Sequence, residues 1–238
     1  MTLSMRRVNA LIKKETRDLS RNINVLFMCV MPIIFSLIFS RLSDGLEQLK
    51  EYNMNVSLNS NLMLVSGFTI SMLIAEEKEK NTLRTLMLSA VSPLEFLIGK
   101  VFITLIISVG INIVTYFIMG MKLIYIGQFI IITTLVVICF IEFGAVVGIL
   151  AENQMSTGTI GMPFFMALFL ISTLAKINDM FVTVANFLPN YNMQILLNRI
   201  FTNEPINISF AYNIAVILVW IIIGAAIFAY AYKKKKLD

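Results

Sequence analysis

Six long apolar stretches constrain the fold of this chain more than any other feature of its sequence. A helix needs roughly 20 predominantly apolar residues to cross the hydrocarbon core, where lipid offers no partner to an unpaired backbone group. The stretches that qualify are residues 25–40, 58–75, 99–121, 128–150, 158–175 and 211–232. The sequence therefore predicts an all-α integral membrane protein with six transmembrane helices.

The composition excludes the commonest alternatives. Only 14% of the residues are charged, whereas soluble domains carry about a quarter. The chain has no His, and Cys29 and Cys139 lie in apolar runs without a second ligand at metal-site spacing. We find neither a metal-ligand cluster nor a nucleophile–base set in the sequence. We therefore predict no catalytic residue, no metal and no cofactor bound by this chain itself.

The distribution of basic residues predicts the orientation. Six Lys or Arg residues precede the first stretch, four lie between residues 76 and 100, and four form the tail that begins at Lys233. Five others lie in the opposite set of loops. Basic residues accumulate on the cytoplasmic side, so both termini are predicted to be cytoplasmic. The predicted organisation is a segment 1–24, a six-span domain 25–232 and a basic tail 233–238.

The N-terminal segment is amphipathic. At about 100° per residue its apolar side chains fall within one third of a helical wheel, and only Glu15 intrudes among them. The opposite third holds the basic residues Arg6, Arg7, Lys13, Lys14, Arg17 and Arg21. This pattern predicts a helix in the membrane interface with its cations toward anionic headgroups. A charge cluster that only sets topology is the alternative interpretation.

Two loops are predicted to be external. Residues 41–57 are polar, whereas 176–210 carries much apolar surface, which is seldom left in water. We expect short helices in the second loop that dip into the outer leaflet or cap the spans, with a break at Pro189 and Asn190.

The loop between the second and third stretches is the most informative segment. Leu83, Leu86 and Met87, with Ala90, recur at the spacing of one helix face. A cap residue, Ser92, then precedes Pro93 at a first helical position, with a glutamate two residues later. The pattern predicts a short charged helix and a sharp restart, either a rigid docking element or a solvated, salt-bridged turn.

These motifs, in this order, resemble the permeases of the ABC-2 exporter family. The resemblance rests on the charged segment that leads into Thr82, on the Ser92-Pro93 restart before Gly99 and Lys100, on Pro32 in the first span, and on the external loop with Leu188 to Met193 and Arg199. Asn81 stands where the family usually has glycine, and Ala90 where it often has proline.

The resemblance implies half of a transport pore. Two such subunits, identical or related, would enclose a translocation pathway in a bacterial cell membrane. Segment 76–98 would couple the chain to an ABC ATPase, present in two copies. The implied coupling residues are Glu77, Glu79, Thr82, Leu83, Leu86, Met87, Ser92 and Pro93. The chain has no GxxxxGK[ST] phosphate loop, so ATP and Mg are expected on that separate polypeptide. The implied cargo is a drug, peptide or other amphipathic substrate.

Polar residues within the spans leave two interpretations open. Glu142 lies deep in the fourth stretch, and intramembrane carboxylates tend to face a bundle interior or a cavity. Gly144 and Gly148 offer a close helix-contact face, and Asn112 adds polarity to the third stretch. These residues are candidates for the pathway or the subunit interface, with helix packing within one chain as the alternative. A proton-coupled transporter that uses Glu142 and a non-transporting immunity or scaffold protein are the alternative functions.

Overall fold

The chain is a bundle of helices in the part that the structure describes. The computed structural model describes residues 5–43, 47–80, 93–175, 178–205 and 207–235. Its α-helices are α1 (Met5–Arg21), α2 (Ile23–Leu42), α3 (Glu47–Asn61), α4 (Ile70–Glu79), α5 (Pro93–Ile118), α6 (Ile126–Leu150), α7 (Gln154–Leu174), α8 (Asp179–Ala185), α9 (Pro189–Phe201) and α10 (Ile208–Lys235). A π-helical segment, Leu62–Thr69, joins α3 to α4, and a 3-10 turn, Leu123–Tyr125, precedes α6.

Six helices in the described part of the chain are long and apolar enough to cross a membrane, as the sequence predicted. They are α2, the continuous helix from α3 through α4, α5, α6, α7 and α10. We call the α3–α4 helix the second span. Pro93 begins α5 as the restart predicted, whereas residues 81–92 lie outside the described part.

Helix α3 corrects the prediction that residues 41–57 form a polar loop, whereas their external position stays a prediction. Helix α3 begins at Glu47, and the second span is the most buried of the six. Its Asn and Ser side chains donate to the preceding turn: Ser57 Oγ to Asn53 O at 3.0 Å and Asn59 Nδ2 to Asn55 O at 2.9 Å. These hydrogen bonds inside the protein lower the cost of burying a helix of low hydropathy.

The segment 176–210, which was predicted to be external, contains in its described residues the two short helices that were predicted, α8 and α9. Pro189 stands at the first position of α9. The buried side chain of Asn190 donates to Asn59 Oδ1 at 2.8 Å, and Trp220 Nε1 donates to Phe187 O at 2.6 Å. Since Trp220 lies about 18 Å along α10 from its start, the segment reaches well into the bundle.

The N-terminal helix α1 packs against the start of α5. Leu11 and Leu19 are buried, and a Cβ added to Gly99 would lie 3.1 Å from Leu11 Cβ. Lys13 and Arg17 are exposed on the other side, together with Arg6 and Arg21. Part of the apolar face is therefore covered by protein. A position in the membrane interface stays a prediction.

Candidate functional site

A cluster of four charged side chains joins three elements at one end of the bundle. We call Lys14, Glu15, Glu77 and Lys100 the charge cluster. Lys100 Nζ lies 2.7 Å from Glu15 Oε2 and 3.3 Å from Glu77 Oε1. Lys14 Nζ hydrogen-bonds Glu77 Oε1 and lies 3.6 Å from Glu15 Oε1. Asp18 Oδ2 also lies 3.7 Å from Lys14 Nζ, so α1, the second span and α5 meet through pairs of opposite charge.

Three of the four side chains in the charge cluster are buried. The side chains of Lys100 and Glu15 are each 2% exposed, and that of Glu77 is 8% exposed. A buried charge is tolerated only when it is paired and hydrogen-bonded. Burial by itself lowers the pKa of Lys14, but the hydrogen bond to Glu77 and the neighbouring carboxylates outweigh it, so the pKa lies above its ordinary value of 10.5. Lys14 is therefore charged throughout the neutral range.

The cluster changes how three residues of the sequence analysis are interpreted. Glu15, which interrupts the apolar face of α1, accepts a hydrogen bond from Lys100. Lys14, assigned to lipid headgroups, is bound to Glu77. Glu77 itself was expected at the docking surface for an ATPase, but it is buried against the chain's own helices. A role of Glu77 in coupling stays a prediction.

The two residues after Glu77 bind the ends of two further helices. Lys78 Nζ donates to Ile149 O at 2.8 Å and also to Ala151 O, at the end of α6. Glu79 Oε2 accepts from Gln154 N at 3.1 Å, at the start of α7. Free carbonyls at a helix C-terminus carry partial negative charge and free amides at an N-terminus partial positive charge. Each charged side chain is thus matched to the helix end that it contacts.

One further residue completes this set. Glu76 Oε2 accepts from Asn22 Nδ2 at 3.3 Å, and Asn22 caps the start of α2. Residues 76–79 therefore bind, in sequence, the α1–α2 junction, the charge cluster, the end of α6 and the start of α7. The predicted coupling residues Thr82, Leu83, Leu86, Met87 and Ser92 follow directly and lie outside the described residues.

The Gly144 and Gly148 face is occupied within the chain. A Cβ at Gly144 would lie 2.2 Å from the carbonyl oxygen of Gly67, and one at Gly148 would lie 2.7 Å from that of Ser71. Ser71 Oγ also lies 2.8 Å from the carbonyl oxygen of Gly144. The close contact predicted from the spacing is present, but its partner is the second span. The two glycines therefore do not form a surface for another subunit.

Asn112 is likewise internal. It is 1% exposed, and its Oδ1 accepts from Asn61 Nδ2 at 2.6 Å. Asn61 Nδ2 also lies 2.9 Å from the carbonyl oxygen of Ser108. These contacts hold α5 to the second span, which favours helix packing over the pathway for Asn112.

Glu142 carries a buried carboxylate oxygen in α6. Like Asn112 Nδ2 and Asn61 Oδ1, its Oε2 has no hydrogen-bond partner among the residues that the structure describes. A Cβ added to Gly224 would lie 2.5 Å from that oxygen, so the carboxyl group rests on α10 where α10 has no side chain. Beside it lies a groove of about 310 Å³ between α6, α7 and α10. Its walls are apolar and comprise Phe143, Val146, Val147, Leu150, Ile160, Phe164, Trp220, Gly224 and Ile227.

The fold and the charged contacts define a class: a multi-pass, all-α membrane protein whose second span carries a polar segment bonded to the ends of its neighbours. A family model described as ABC-2 family transporter protein matches residues 42–226. The chain belongs to that family. The matched range begins at the end of α2 and ends within α10, so α1 and most of α2 precede it. No curated protein sequence matches the chain.

Proposed function

We propose that this chain is the transmembrane subunit of an ATP-driven exporter, powered by a separate ATPase polypeptide. Two permease subunits, identical or related, form the pathway in a bacterial cell membrane, and two ATPase chains bind ATP and Mg on the cytoplasmic side. Family membership supports transport across a membrane as the general role. The arrangement at the charged end of the second span supports coupling to an ATPase, and export is what the resemblance of the sequence motifs implies.

The set of contacts made by residues 76–79 is the observation that carries the proposal. A segment that receives force from an ATPase must be fixed to the helices that it moves, because otherwise the loop would shift alone. Glu77 is bound to α1 and α5, Lys78 to α6, and Glu79 to α7. A displacement of the residues that follow Lys80 is therefore passed to four neighbouring helices at once.

Docking itself is assigned to Leu83, Leu86 and Met87. An apolar helix face that meets a groove cannot bury unpaired carboxylates cheaply. Replacing both Leu86 and Met87 with Asp is therefore expected to abolish ATPase binding, while the chain still inserts because these residues lie between the apolar stretches 58–75 and 99–121. The matched control is Met180→Asp in α8, which also introduces a carboxylate at an exposed apolar residue. Met180 lies in the segment predicted to be external.

The measurement is vanadate-sensitive ATP hydrolysis that co-purifies with the tagged chain in mild detergent. Parent and Met180→Asp should retain it, and the Leu86→Asp/Met87→Asp variant should lose it at equal recovery of the chain. Undiminished hydrolysis with the double variant would reject the docking role. Absence of any co-purifying ATPase with the parent would reject the proposal itself.

One observation favours the proton-coupled alternative, namely the Glu142 oxygen without a hydrogen-bond partner. A relay needs a second titratable group within reach, and the described residues place no ion pair on Glu142. Transport that persists without nucleotide and follows an imposed proton gradient would support that alternative instead.

A further inference from the structure

We propose that a second groove, between α6, α9 and α10, binds a zwitterionic phospholipid, whose headgroup carries a phosphate and an ammonium group. The groove has a volume of about 440 Å³, which lies in the range of ligand sites in proteins. It is formed at the start of α6, whereas Lys78 contacts the end of that helix. The site is therefore separate from the contacts of residues 76–79 and goes beyond the proposed function.

The groove lies where two candidate spans begin, which is the level at which lipid headgroups meet hydrocarbon. The spans that contain α6 and α10 start at Leu123 and Ile208. The side chains of Ile131, Ile132 and Ile214 line the part of the groove that extends along these helices. Ile132 follows the start of α6 by about 9 Å. This apolar wall fits the first carbons of an acyl chain.

Arg199 supplies the contact for the phosphate. Its side chain is 21% exposed, and its Nε lies 3.7 Å from Glu204 Oε2, which is too far for a hydrogen bond. One guanidinium N–H group donates to Asn207 Oδ1 at 2.8 Å. The other N–H groups donate to none of the described residues. A guanidinium group with free donors matches the geometry of a phosphate.

Glu204 supplies the contact for the ammonium group. Its carboxylate lines the same groove and is 51% exposed. A headgroup that places its phosphate on Arg199 brings its next charged group close to Glu204, where a positive charge is attracted and a negative one is repelled. The two side chains therefore match a headgroup that carries both charges better than one that carries only a negative charge.

The polar rim of the groove is fixed by contacts between the end of α9 and the start of α6. Asn203 Nδ2 donates to the hydroxyl group of Tyr125 at 2.8 Å. The ring of Tyr125 packs on that of Phe201, with ring centroids 5.9 Å apart. Because these contacts are made within the chain, Arg199 and Glu204 are positioned before a lipid binds.

Native mass spectrometry of the full, delipidated chain in detergent resolves each bound lipid and gives its dissociation constant. The chain is titrated with phosphatidylethanolamine and, separately, with phosphatidylglycerol of the same acyl chains. The first phosphatidylethanolamine should bind about fivefold more tightly than the first phosphatidylglycerol, as expected for a partly exposed charge pair.

Two substitutions test the assignment of the residues. Arg199→Gln should weaken phosphatidylethanolamine binding by about tenfold or more, as expected when a hydrogen bond to a charged group is lost. Arg41→Gln is the matched control, because it removes the same charge at an exposed residue at the end of α2 and should leave the dissociation constant unchanged. Glu204→Gln alters an exposed side chain that the fold does not need, and it should bring the two lipid affinities within about twofold of each other.

Four results would overturn the proposal: equal affinity of the parent for the two lipids, equal phosphatidylethanolamine binding by parent and Arg199→Gln, an unchanged lipid preference in Glu204→Gln, or covalent linkage between two chains through Ile131→Cys. The last experiment uses a chain in which Cys29 and Cys139 are replaced by alanine, and linkage would mean that a second copy fills the groove. Since no ATPase is present, the lipid site can fail while ATP-driven transport stands.

Discussion

At the scale of single residues, the Lys100–Glu15 pair is the buried ion pair whose loss is expected to affect stability. The two groups are 85 positions apart in sequence and are almost completely buried. The buried charge of Glu15 depends on Lys100, whereas that of Lys100 is shared between Glu15 and Glu77. Sequence reasoning found Glu15 as an exception to the pattern of α1, but it could not identify the partner, because only the packing of α1 on α5 brings Lys100 to it.

Removing one member of this pair should cost more than removing both. Lys100→Met leaves Glu15 without its nearest cation and should destabilise the chain by about 3 kcal/mol, the usual consequence of an uncompensated buried charge. The double variant Glu15→Gln/Lys100→Met should recover part of the loss. Thermal unfolding in detergent, followed by Trp220 emission, gives the coupling through a double-mutant cycle. Additive effects of the two substitutions would contradict the pairing.

At the scale of helices, hydropathy predicted the membrane spans but not the point at which the second span begins, and both results have a physical cause. The stretches that became α2, α6 and α10 were recognised because lipid requires an apolar exterior. The start of the second span was missed because hydropathy measures transfer to lipid, whereas Asn53, Asn59 and their neighbours face protein. A helix that is buried among other helices can be polar in composition where hydropathy alone predicts a loop.

The candidate site also has a part that the sequence predicted and a part that it did not. The start of a helix at Pro93 was predicted correctly, because caps and prolines act locally. The contacts of Glu77, Lys78 and Glu79 could not be predicted, because each is made to a residue that lies far away in sequence. The spacing of Gly144 and Gly148 correctly indicated a close contact but did not indicate which helix was the partner.

The contact between α6 and the second span leads to a prediction for helix packing. Gly148→Ala places a methyl group 2.7 Å from the backbone oxygen of Ser71 and should destabilise the bundle by about 1–3 kcal/mol through overpacking. Gly110→Ala in α5 meets nothing within 4 Å and should be neutral or stabilising by about 0.5–1 kcal/mol, because alanine is the better helix former. The midpoints of thermal unfolding compare the two. Equal midpoints for both variants would contradict the close packing.

At the scale of the whole molecule, the described helices form one half of the membrane part of the proposed exporter. The most buried element is the second span, and α2 and α10 are the least buried spans. Exposed apolar surface on α2, α7 and α10 is available to lipid or to a second permease subunit. The charged end of the second span connects this bundle to the segment assigned to the ATPase.

The mass of the intact complex tests the proposed exporter most directly. The chain, of 26.9 kDa, is purified from its own membrane in mild detergent and released from micelles in a mass spectrometer. The expected result is an assembly of two permease subunits, identical or related, with two ATP-binding chains. The Leu86→Asp/Met87→Asp variant should yield permease subunits alone. An unmodified chain that carries no ATP-binding partner would contradict the central claim.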